Sequence, residues 1–246
     1  MKIDMSELVK QSDKFRDKLA VIKKRHREIN WYPYHSMANI GHIEALTPKI
    51  DSSMNVLDIG PADGDIGYLF ESLGCAVDFL DNAGTNYNDC RGIKCLKTEL
   101  KSPANILEKD VDWQFVLQRQ YDLAIALGIF YHLRNPMSFL MRLALHSQYL
   151  LLSTRVCQMD AVGNRIADQP LVYFLDTRES NDDPTNYWIF TQVSLKRVLK
   201  RSGWNMVNSV SIGETRNSDP IKRDERMFVY CQRVPNWVDL TKHHDF

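Results

Sequence analysis

The 246-residue sequence has no long apolar run and no excess of charge of either sign. No stretch approaches the roughly 18 to 20 uninterrupted apolar residues that a membrane helix requires. The N-terminal segment, MKIDMSELVKQSDKFRDK, is charged where a signal peptide would be apolar. We therefore expect a cytoplasmic protein with no membrane partner.

The sequence also lacks a cysteine pattern for zinc or redox chemistry, since its five cysteines are scattered and include no C-x-x-C pair. Of the seven histidines, only His243 and His244 are adjacent. We predict reduced thiols and no bound metal. The cysteines are Cys75, Cys90, Cys95, Cys157 and Cys231.

The 31 basic and 31 acidic residues cancel, so the whole molecule provides no strong field to attract nucleic acid. A nucleic acid would therefore have to bind through a local basic patch. The densest basic run, Lys23-Lys24-Arg25-His26-Arg27, lies at the end of a predicted helix. It has two interpretations, a solvated helix face or a contact with RNA phosphates, and both stay open here.

Hydrophobic residues make up 44% of the chain and charged residues 25%, enough to bury one large core or two small ones. Apolar residues at three- to four-residue steps predict a helix over 6–29, and a second helix is predicted over 37–46, before Pro48. We interpret 1–50 as a helical cover on the main domain, 51–235.

Within the main domain, short apolar runs alternate with amphipathic segments, which is typical of βαβ units on a parallel sheet. A polar, aromatic-rich insertion over 156–190 interrupts this pattern. Strands 204–211 and 226–233 are joined by a loop, which predicts an antiparallel hairpin, and 236–246 forms a tail. The other predicted elements are strands 55–60, 75–81, 105–111, 121–127 and 148–155, and helices 64–73, 90–101, 136–146 and 192–202.

The first strand of the domain runs into a turn of small residues, Asp58-Ile59-Gly60-Pro61-Ala62-Asp63-Gly64, and then into a helix. Glycines in such a turn let a ligand approach the backbone, and the helix directs its amide groups at the same crevice. The next strand ends in Asp81, beside Asn82, where a carboxylate can accept both ribose hydroxyls. Asp110, Asp112 and Trp113 follow the third strand, where they could hold an adenine.

The strand with its DIGPADG turn, Asp81, and the segment Tyr121 to Pro136 (YDLAIALGIFYHLRNP) together resemble class I S-adenosylmethionine-dependent methyltransferases. The resemblance covers about residues 50 to 233. It implies an α/β, Rossmann-like methyltransferase fold with a mostly parallel seven-stranded sheet, a terminal antiparallel hairpin and, here, added N-terminal helices. Pro61-Ala62 departs from the family, which often has a second glycine at this point.

By this resemblance the glycine turn cradles the methionine part of S-adenosylmethionine, the next acid binds ribose, the third-strand acids meet adenine, and the fourth strand closes beneath the sulfonium. The implied cofactor-binding residues are Asp58, Gly60, Ala62, Asp63, Gly64, Asp81, Asn82, Asp110, Asp112, Trp113, Leu127 and Gly128.

A narrower and patchy resemblance is to the tRNA wobble-uridine carboxymethyltransferase branch. It rests on Tyr131-His132-Leu133-Arg134-Asn135-Pro136, on Trp31-Tyr32-Pro33 and on Asp183-Pro184-Thr185-Asn186-Tyr187-Trp188. Enzymes of that branch use a carboxylated form of the same cofactor. The branch implies shared architecture and leaves the substrate open.

Three residues are candidates for catalysis because they follow the fourth and fifth strands, near the expected sulfonium. His132 is the first candidate for a general base, although it could instead cap a helix or orient a neighbour. Tyr131 and Arg155 would point toward the same crevice, and Arg155 could pair with an acidic substrate group, with Asp58 or with Asp160.

The insertion mixes aromatic rings with carboxylates and amides, which suits either a substrate lid or an ordered loop. The N-terminal aromatic residues could wall the opposite side or pack against the sheet. The resulting substrate-binding candidates are Trp31, Tyr34, Tyr173, Arg178, Asn186 and Trp188.

The sequence therefore predicts an S-adenosylmethionine-dependent methyltransferase that acts on an oxygen or nitrogen of a small metabolite or glycan. One alternative is a tRNA wobble-uridine methyl- or carboxymethyltransferase. Another is a protein that binds S-adenosylmethionine without catalysis. The acceptor and the oligomeric state stay open.

Overall fold

The computed structural model describes residues 3–4, 7–113 and 115–237 of the chain. The helices are α1 (Leu8–Arg25), α2 (Ile40–Ala45), α3 (Asp65–Ser72), α4 (Arg91–Leu100), α5 (Pro136–His146) and α6 (Gln192–Arg201), with short 3-10 helices at Ser36–Asn39 and Phe130–His132. The strands are β1 (Asn55–Ile59), β2 (Ala76–Asp81), β3 (Asn105–Glu108), β4 (Tyr121–Leu127), β5 (Ser147–Val156), β6 (Val172–Phe174), β7 (Trp188–Phe190), β8 (Trp204–Gly213) and β9 (Glu225–Arg233).

The central sheet is parallel in the order β3-β2-β1-β4-β5. On the far side of β5, β9 pairs antiparallel with β5 and β8 pairs antiparallel with β9. The predicted mostly parallel sheet with a terminal antiparallel hairpin is therefore present. The strand order reverses between β1 and β4, and ligands of such sheets bind outside the carboxyl ends of the strands at that switch point.

The insertion contributes two short strands that the sequence pattern did not predict. Strands β6 and β7 form an antiparallel hairpin, and Phe190 of β7 pairs parallel with Val156 at the end of β5. Each strand has three residues, too few for an alternation of apolar and polar residues to stand out. The hairpin extends the sheet edge at the end where β4 and β5 finish.

The N-terminal helix is shorter than predicted, because α1 ends at Arg25 rather than at residue 29. The indole Nε1–H of Trp31 folds back and donates to the carbonyls of His26, at 2.9 Å, and Lys23, at 3.2 Å. These bonds satisfy carbonyls that the helix leaves open where it ends. The predicted helix over 37–46 likewise begins as a 3-10 turn, and the strand predicted over 105–111 ends at Glu108.

The helical cover shares its core with the main domain. Leu19 and Ile43 are buried in the same apolar cluster as Val56 of β1 and Phe70 of α3. A second cluster, which includes Leu57 and α5, fills the other face of the sheet. The predicted tail lies outside the described residues except for its first two, and no helix in the described part of the chain is long and apolar enough to cross a membrane.

Candidate active site

The glycine turn between β1 and α3 has three residues in the left-handed region, Gly60 (φ +59°), Ala62 (φ +57°) and Gly64 (φ +87°). A non-glycine residue with positive φ is uncommon, and Ala62 adopts it with the smallest side chain that has a Cβ. A Cβ at Gly60 would lie 2.7 Å from Cδ1 of Ile129. The turn is thus compact, and it accommodates the Pro61-Ala62 departure from the family pattern.

Asp58 lies at the base of this turn and is buried. Its Oδ2 accepts a hydrogen bond of 3.0 Å from the backbone N–H of Gly67 in α3. Burial nevertheless raises the pKa of the Asp58 carboxyl to about 7. The carboxyl can therefore gain or lose a proton near neutral pH, and a nearby positive charge would favour its ionised form.

A small cavity of about 50 Å³ opens at the switch point between β1 and β4. Ser36 and Asn39 of the helical cover line it, and sequence reasoning did not select either residue. Ser36 precedes the second predicted helix and Asn39 lies within it, and the only signal for them was their polarity. The other lining residues are Asp58, Gly60, Pro61, Ala62, Ile66 and Leu127.

Asp81 ends β2, and both of its carboxylate oxygens are held by neighbouring residues. Oδ1 accepts from the backbone N–H of Asn82 at 2.8 Å, and Oδ2 accepts from the Asn86 amide at 2.7 Å. Burial raises the pKa of the Asp81 carboxyl above its ordinary value. The carboxylate is thus fixed in orientation and half-buried at the strand end, as a ribose-binding acid requires.

Tyr32 lies next to this loop, and in the sequence it stands between the substrate-binding candidates Trp31 and Tyr34. Its hydroxyl accepts a 2.9 Å bond from the Tyr87 N–H, and the Tyr32 and Tyr87 ring centroids are 5.2 Å apart. Burial raises the pKa of Tyr32 to about 12, with the negative charge of Asp81 contributing. Trp31 instead contacts α1, while Tyr34 is 79% exposed.

Asp63 fastens the helical cover to the glycine turn. Its Oδ2 accepts from Lys23 Nζ at 2.9 Å and from the Tyr32 N–H at 3.1 Å, and its Oδ1 accepts from the Asn88 amide at 2.9 Å. Lys23 Nζ also lies 2.9 Å from Asp65. Both oxygens of the Asp63 side chain thus have partners within the protein.

The lysine in this network remains charged. Burial acts to lower the pKa of Lys23, but the carboxylates of Asp65 and Asp63 raise it above its ordinary value. Two more members of the basic run are also paired internally, since Arg25 lies 2.6 Å and His26 3.0 Å from carboxylate oxygens of Glu99. Most of the run is therefore part of the fold of the cover.

The adenine-side candidates lie on the loop after β3. Asp112 Oδ1 accepts a 3.0 Å bond from the Asn135 N–H, which ties this loop to the start of α5. The backbone N–H of Asp112 donates to Asp110 Oδ1 at 2.9 Å. Trp113 is 61% exposed, so its ring is available to a ligand. Their contact with adenine stays a prediction.

Leu127 ends β4 and lines the small cavity, and Gly128 follows with φ +81°. Their contact with the cofactor stays a prediction. The next residues form the 3-10 helix that carries Tyr131 and His132. His132 Nδ1 lies 2.9 Å from Thr185 Oγ1 and 3.2 Å from the Thr185 carbonyl, both in the insertion. Burial lowers the pKa of the His132 imidazole below its ordinary value. The structure thus brings the first catalytic candidate against the insertion.

The insertion is joined to the segment after β4 at two further points. The Tyr187 N–H donates to the Tyr131 carbonyl at 2.9 Å, and Trp188 Nε1–H donates to the Leu133 carbonyl at 2.8 Å. These contacts hold one end of the insertion over the ends of β4 and β5.

The other substrate-binding candidates bond mainly within the insertion. Tyr173 donates to Glu179 at 2.7 Å, and exposed Arg178 lies 3.3 Å from Asp182. Asn186 is buried, and its amide donates to the Ser180 carbonyl at 3.0 Å.

Arg155 is buried near the end of β5, and its charge is already compensated. Its Nε donates to Asp224 and its Nη1 donates to Ser180. The partner is therefore neither Asp58 nor Asp160, the two carboxylates that the sequence left open. This ion pair links β5 to the loop before β9 and to the insertion.

The sheet order, the glycine turn at its switch point and the fixed acid after β2 define a methyltransferase of the S-adenosylmethionine-dependent class. The family described as "Methyltransferase domain" matches residues 23–209, more than half of the chain, and the chain belongs to this family. The predicted enzyme class and cofactor are confirmed. No curated protein sequence matches the chain.

Solved structures share the fold at low sequence identity. The N-terminal domain of EvdMO1 with bound S-adenosylhomocysteine is 15% identical, with a TM-score of 0.56, over 89% of this chain and 96% of that one. A Methanosarcina mazei S-adenosylmethionine-dependent methyltransferase is 15% identical, with a TM-score of 0.52, over 75% and 94% of the two chains. The Burkholderia thailandensis 1,6-didemethyltoxoflavin-N1-methyltransferase is 16% identical, with a TM-score of 0.53, over 74% and 71%.

The residues at the switch point fit S-adenosylmethionine. Gly60 lines the cavity beside Asp58, and its lack of a Cβ lets the Ile129 side chain pack against the turn. Asp58 would provide a carboxyl for the positively charged methionine part, and Asp81 would provide the ribose acceptor. Ser36 and Asn39 would close the cavity from the cover.

Proposed function

We propose that the protein transfers a methyl group from S-adenosylmethionine to an oxygen or nitrogen of a small metabolite or glycan. The observation that carries this proposal is the attachment of the insertion, through Thr185, Tyr187 and Trp188, to the segment 131–133 after β4. A site covered in this way suits a small acceptor that is aligned and shielded from water.

Bound S-adenosylmethionine supplies a methyl group activated by a positive sulfur, so alignment of the acceptor provides much of the rate. His132 is the proposed base. Thr185 Oγ1 donates its one hydrogen to Asp183 Oδ1 at 2.6 Å, so it can only accept from His132 Nδ1. The Thr185 carbonyl has no hydrogen to donate and also accepts from Nδ1. The proton therefore resides on Nδ1, and Nε2 is left to take the proton of an acceptor O–H or N–H.

Similar structures with small acceptors support this proposal. The Burkholderia enzyme binds 1,6-didemethyltoxoflavin, the EvdMO1 domain was also studied with D-fucose, and a mitomycin 7-O-methyltransferase has a TM-score of 0.53 to this chain. The basic run favoured the tRNA alternative, but three of its members, Lys23, Arg25 and His26, have partners within the protein. A tRNA partner is therefore not part of the proposal.

The test is to incubate the protein with methyl-labelled S-adenosylmethionine and either a low-mass metabolite extract or total tRNA. We expect the label in a low-mass product, and a folded His132→Ala variant run in parallel should form much less of it. Mass spectrometry of the cofactor retained by the purified protein separates methyl from carboxymethyl transfer, because the carboxylated cofactor has a different mass. Label confined to tRNA would contradict the proposed acceptor class.

A further inference from the structure

Arg226 and Arg155 are directly opposite each other on the antiparallel strands β9 and β5. Both lie near the carboxyl end of β5, at the edge of the sheet where the site is. Like charges at directly opposed positions destabilise a strand pair. Two arginines at this position therefore need compensating groups.

Only one of the two arginines has a carboxylate partner in the described part of the chain. Arg155 pairs with Asp224. Arg226 is half-buried and contacts Tyr131 instead, with Nη2 3.3 Å from the hydroxyl oxygen and Cζ 5.5 Å from the ring centroid. These contacts with Tyr131 replace only part of the hydration that a half-buried guanidinium loses, and they leave its positive charge without an anion.

The unpaired guanidinium lies on the acceptor side of the site. Arg226 Nη1 is 3.1 Å from the position that a Cβ of Gly128 would occupy, so the glycine makes room for it at the end of β4. Its positive charge also acts on His132, where it favours the neutral imidazole. Arg226 contacts Tyr131, whose ring centroid lies 4.2 Å from that of His132, so the three side chains form one cluster.

We propose that Arg226 and the Tyr131 hydroxyl bind a carboxylate on the acceptor, an inference that rests on the proposed function. The planar guanidinium can donate two parallel hydrogen bonds to a carboxylate. Because the Tyr131 oxygen accepts from Arg226, its own hydrogen is free to donate to the same anion. The acceptor would then present its nucleophilic atom to His132 while its carboxylate sets the orientation.

The experiment uses full-length protein saturated with S-adenosylhomocysteine and titrated with benzoate or with its neutral isostere benzamide, followed by NMR. The wild type should prefer benzoate. Arg226→Gln should weaken benzoate binding roughly 10- to 100-fold and leave benzamide binding unchanged. Tyr131→Phe should cause a smaller loss, and Lys222→Gln, which removes an exposed charge from the preceding loop, should cause none.

Several outcomes overturn the inference. Equal affinity of the wild type for benzoate and benzamide would show that no anion is recognised. Tighter binding of phenyl phosphate than of benzoate would show that the site does not prefer a carboxylate. A third such outcome is tighter binding of S-adenosylmethionine carboxylated on its transferred methyl than of the ordinary cofactor, with that preference absent in Arg226→Gln. The anion would then belong to the cofactor.

Calorimetry with S-adenosylhomocysteine separates this inference from the proposed function. If the cofactor product does not bind the wild type, the proposed function fails. If it binds normally and the benzoate preference is absent, only the role of Arg226 fails.

Discussion

Nδ1 of His132 lies 2.9 Å from Oγ1 of Thr185, and Oγ1 lies 2.6 Å from Asp183. This chain of contacts joins the 3-10 helix after β4 to the insertion. It orients the imidazole and fixes its proton on Nδ1. A polar loop of the insertion thereby orients the proposed base.

His132→Ala should lower turnover by about two to four orders of magnitude if the imidazole is the base. Affinity for S-adenosylhomocysteine, measured by calorimetry, should change less than tenfold, because the cofactor contacts are assigned to β1 and β2. In the wild type, the rate should rise with pH as the imidazole loses its proton. Because burial lowers the pKa of His132, that rise should occur at a lower pH than for an ordinary histidine.

Thr185→Val is the matched variant for this prediction, since it retains His132 and removes the hydroxyl that accepts from Nδ1. We expect an intermediate loss of turnover. Full activity of folded His132→Ala would reject the role of His132 as the base. Alignment of the acceptor would then be the main source of catalysis.

Asp81→Ala should weaken binding of S-adenosylhomocysteine by about 1.5 to 3 kcal/mol, the range for hydrogen bonds to a charged group. The carboxylate is pre-oriented by Asn82 and Asn86, so the loss should be in affinity rather than in folding. Glu108→Gln, at the paired position of β3 and more exposed, is the control. Unchanged calorimetric affinity in Asp81→Ala would remove the ribose role.

Much of this fold follows from patterns that are local in sequence. The alternation of apolar runs with amphipathic segments predicted β1, β2, β4 and β5, because buried parallel strands are apolar on both faces. The hairpin β6 and β7 was missed because three-residue strands lack a measurable period. The C-terminal end of α1 was misplaced because it depends on Trp31, whose indole bonds back to the helix.

The site was predictable where one strand end determines it and less so where distant segments meet. Asp58, Gly60 and Asp81 follow from the order of strands and turns. Ser36 and Arg226 were missed because their place in the site depends on tertiary packing rather than on a local motif. The partners of Arg155 were missed for the same reason. Asp224 lies 69 residues away in sequence.

Asp58→Asn should stabilise the ligand-free protein at pH 8 more than at pH 5. Burial raises the pKa of Asp58 to about 7 in the folded protein, well above its ordinary value in the unfolded chain. The folded state therefore binds the extra proton, and its stability falls as the pH rises from about 4 to about 7. The asparagine side chain of Asp58→Asn does not ionise, so the variant does not lose this stability as the pH rises. Thermal unfolding at the two pH values measures the effect, and an equal shift at both would contradict it.

Lys23→Ala should lower the free energy of unfolding by about 2 to 4 kcal/mol, because it leaves Asp63 and Asp65 without their shared cation. Lys24→Ala, which changes the exposed neighbour, should have little effect in the same urea titration.

We also expect that the protein does not shift the migration of tRNA in native gels at low salt. A shift that weakens steeply with salt, and less steeply in Lys24→Ala, would restore the RNA partner.

Trp188→Ala should mainly raise the Michaelis constant for the acceptor. Its Nε1–H bonds to the Leu133 carbonyl next to His132, and its ring lies 4.8 Å from that of Phe174. Removal of the side chain loosens the insertion over the acceptor side, while Asp58 and Asp81 keep their contacts. We expect an increase of about 5- to 50-fold, from one hydrogen bond and lost apolar contact.

Trp188→Phe separates the two contributions, because it retains an aromatic ring and removes only the bond to Leu133. An intermediate Michaelis constant in this variant would assign part of the effect to that bond. Affinity for S-adenosylhomocysteine should stay within tenfold of the wild type in both variants, with folding checked by circular dichroism. If folded Trp188→Ala lost cofactor binding instead, the insertion would belong to the cofactor site. The division of the crevice into a cofactor side at β1 and β2 and an acceptor side at β4 and β5 would then be wrong.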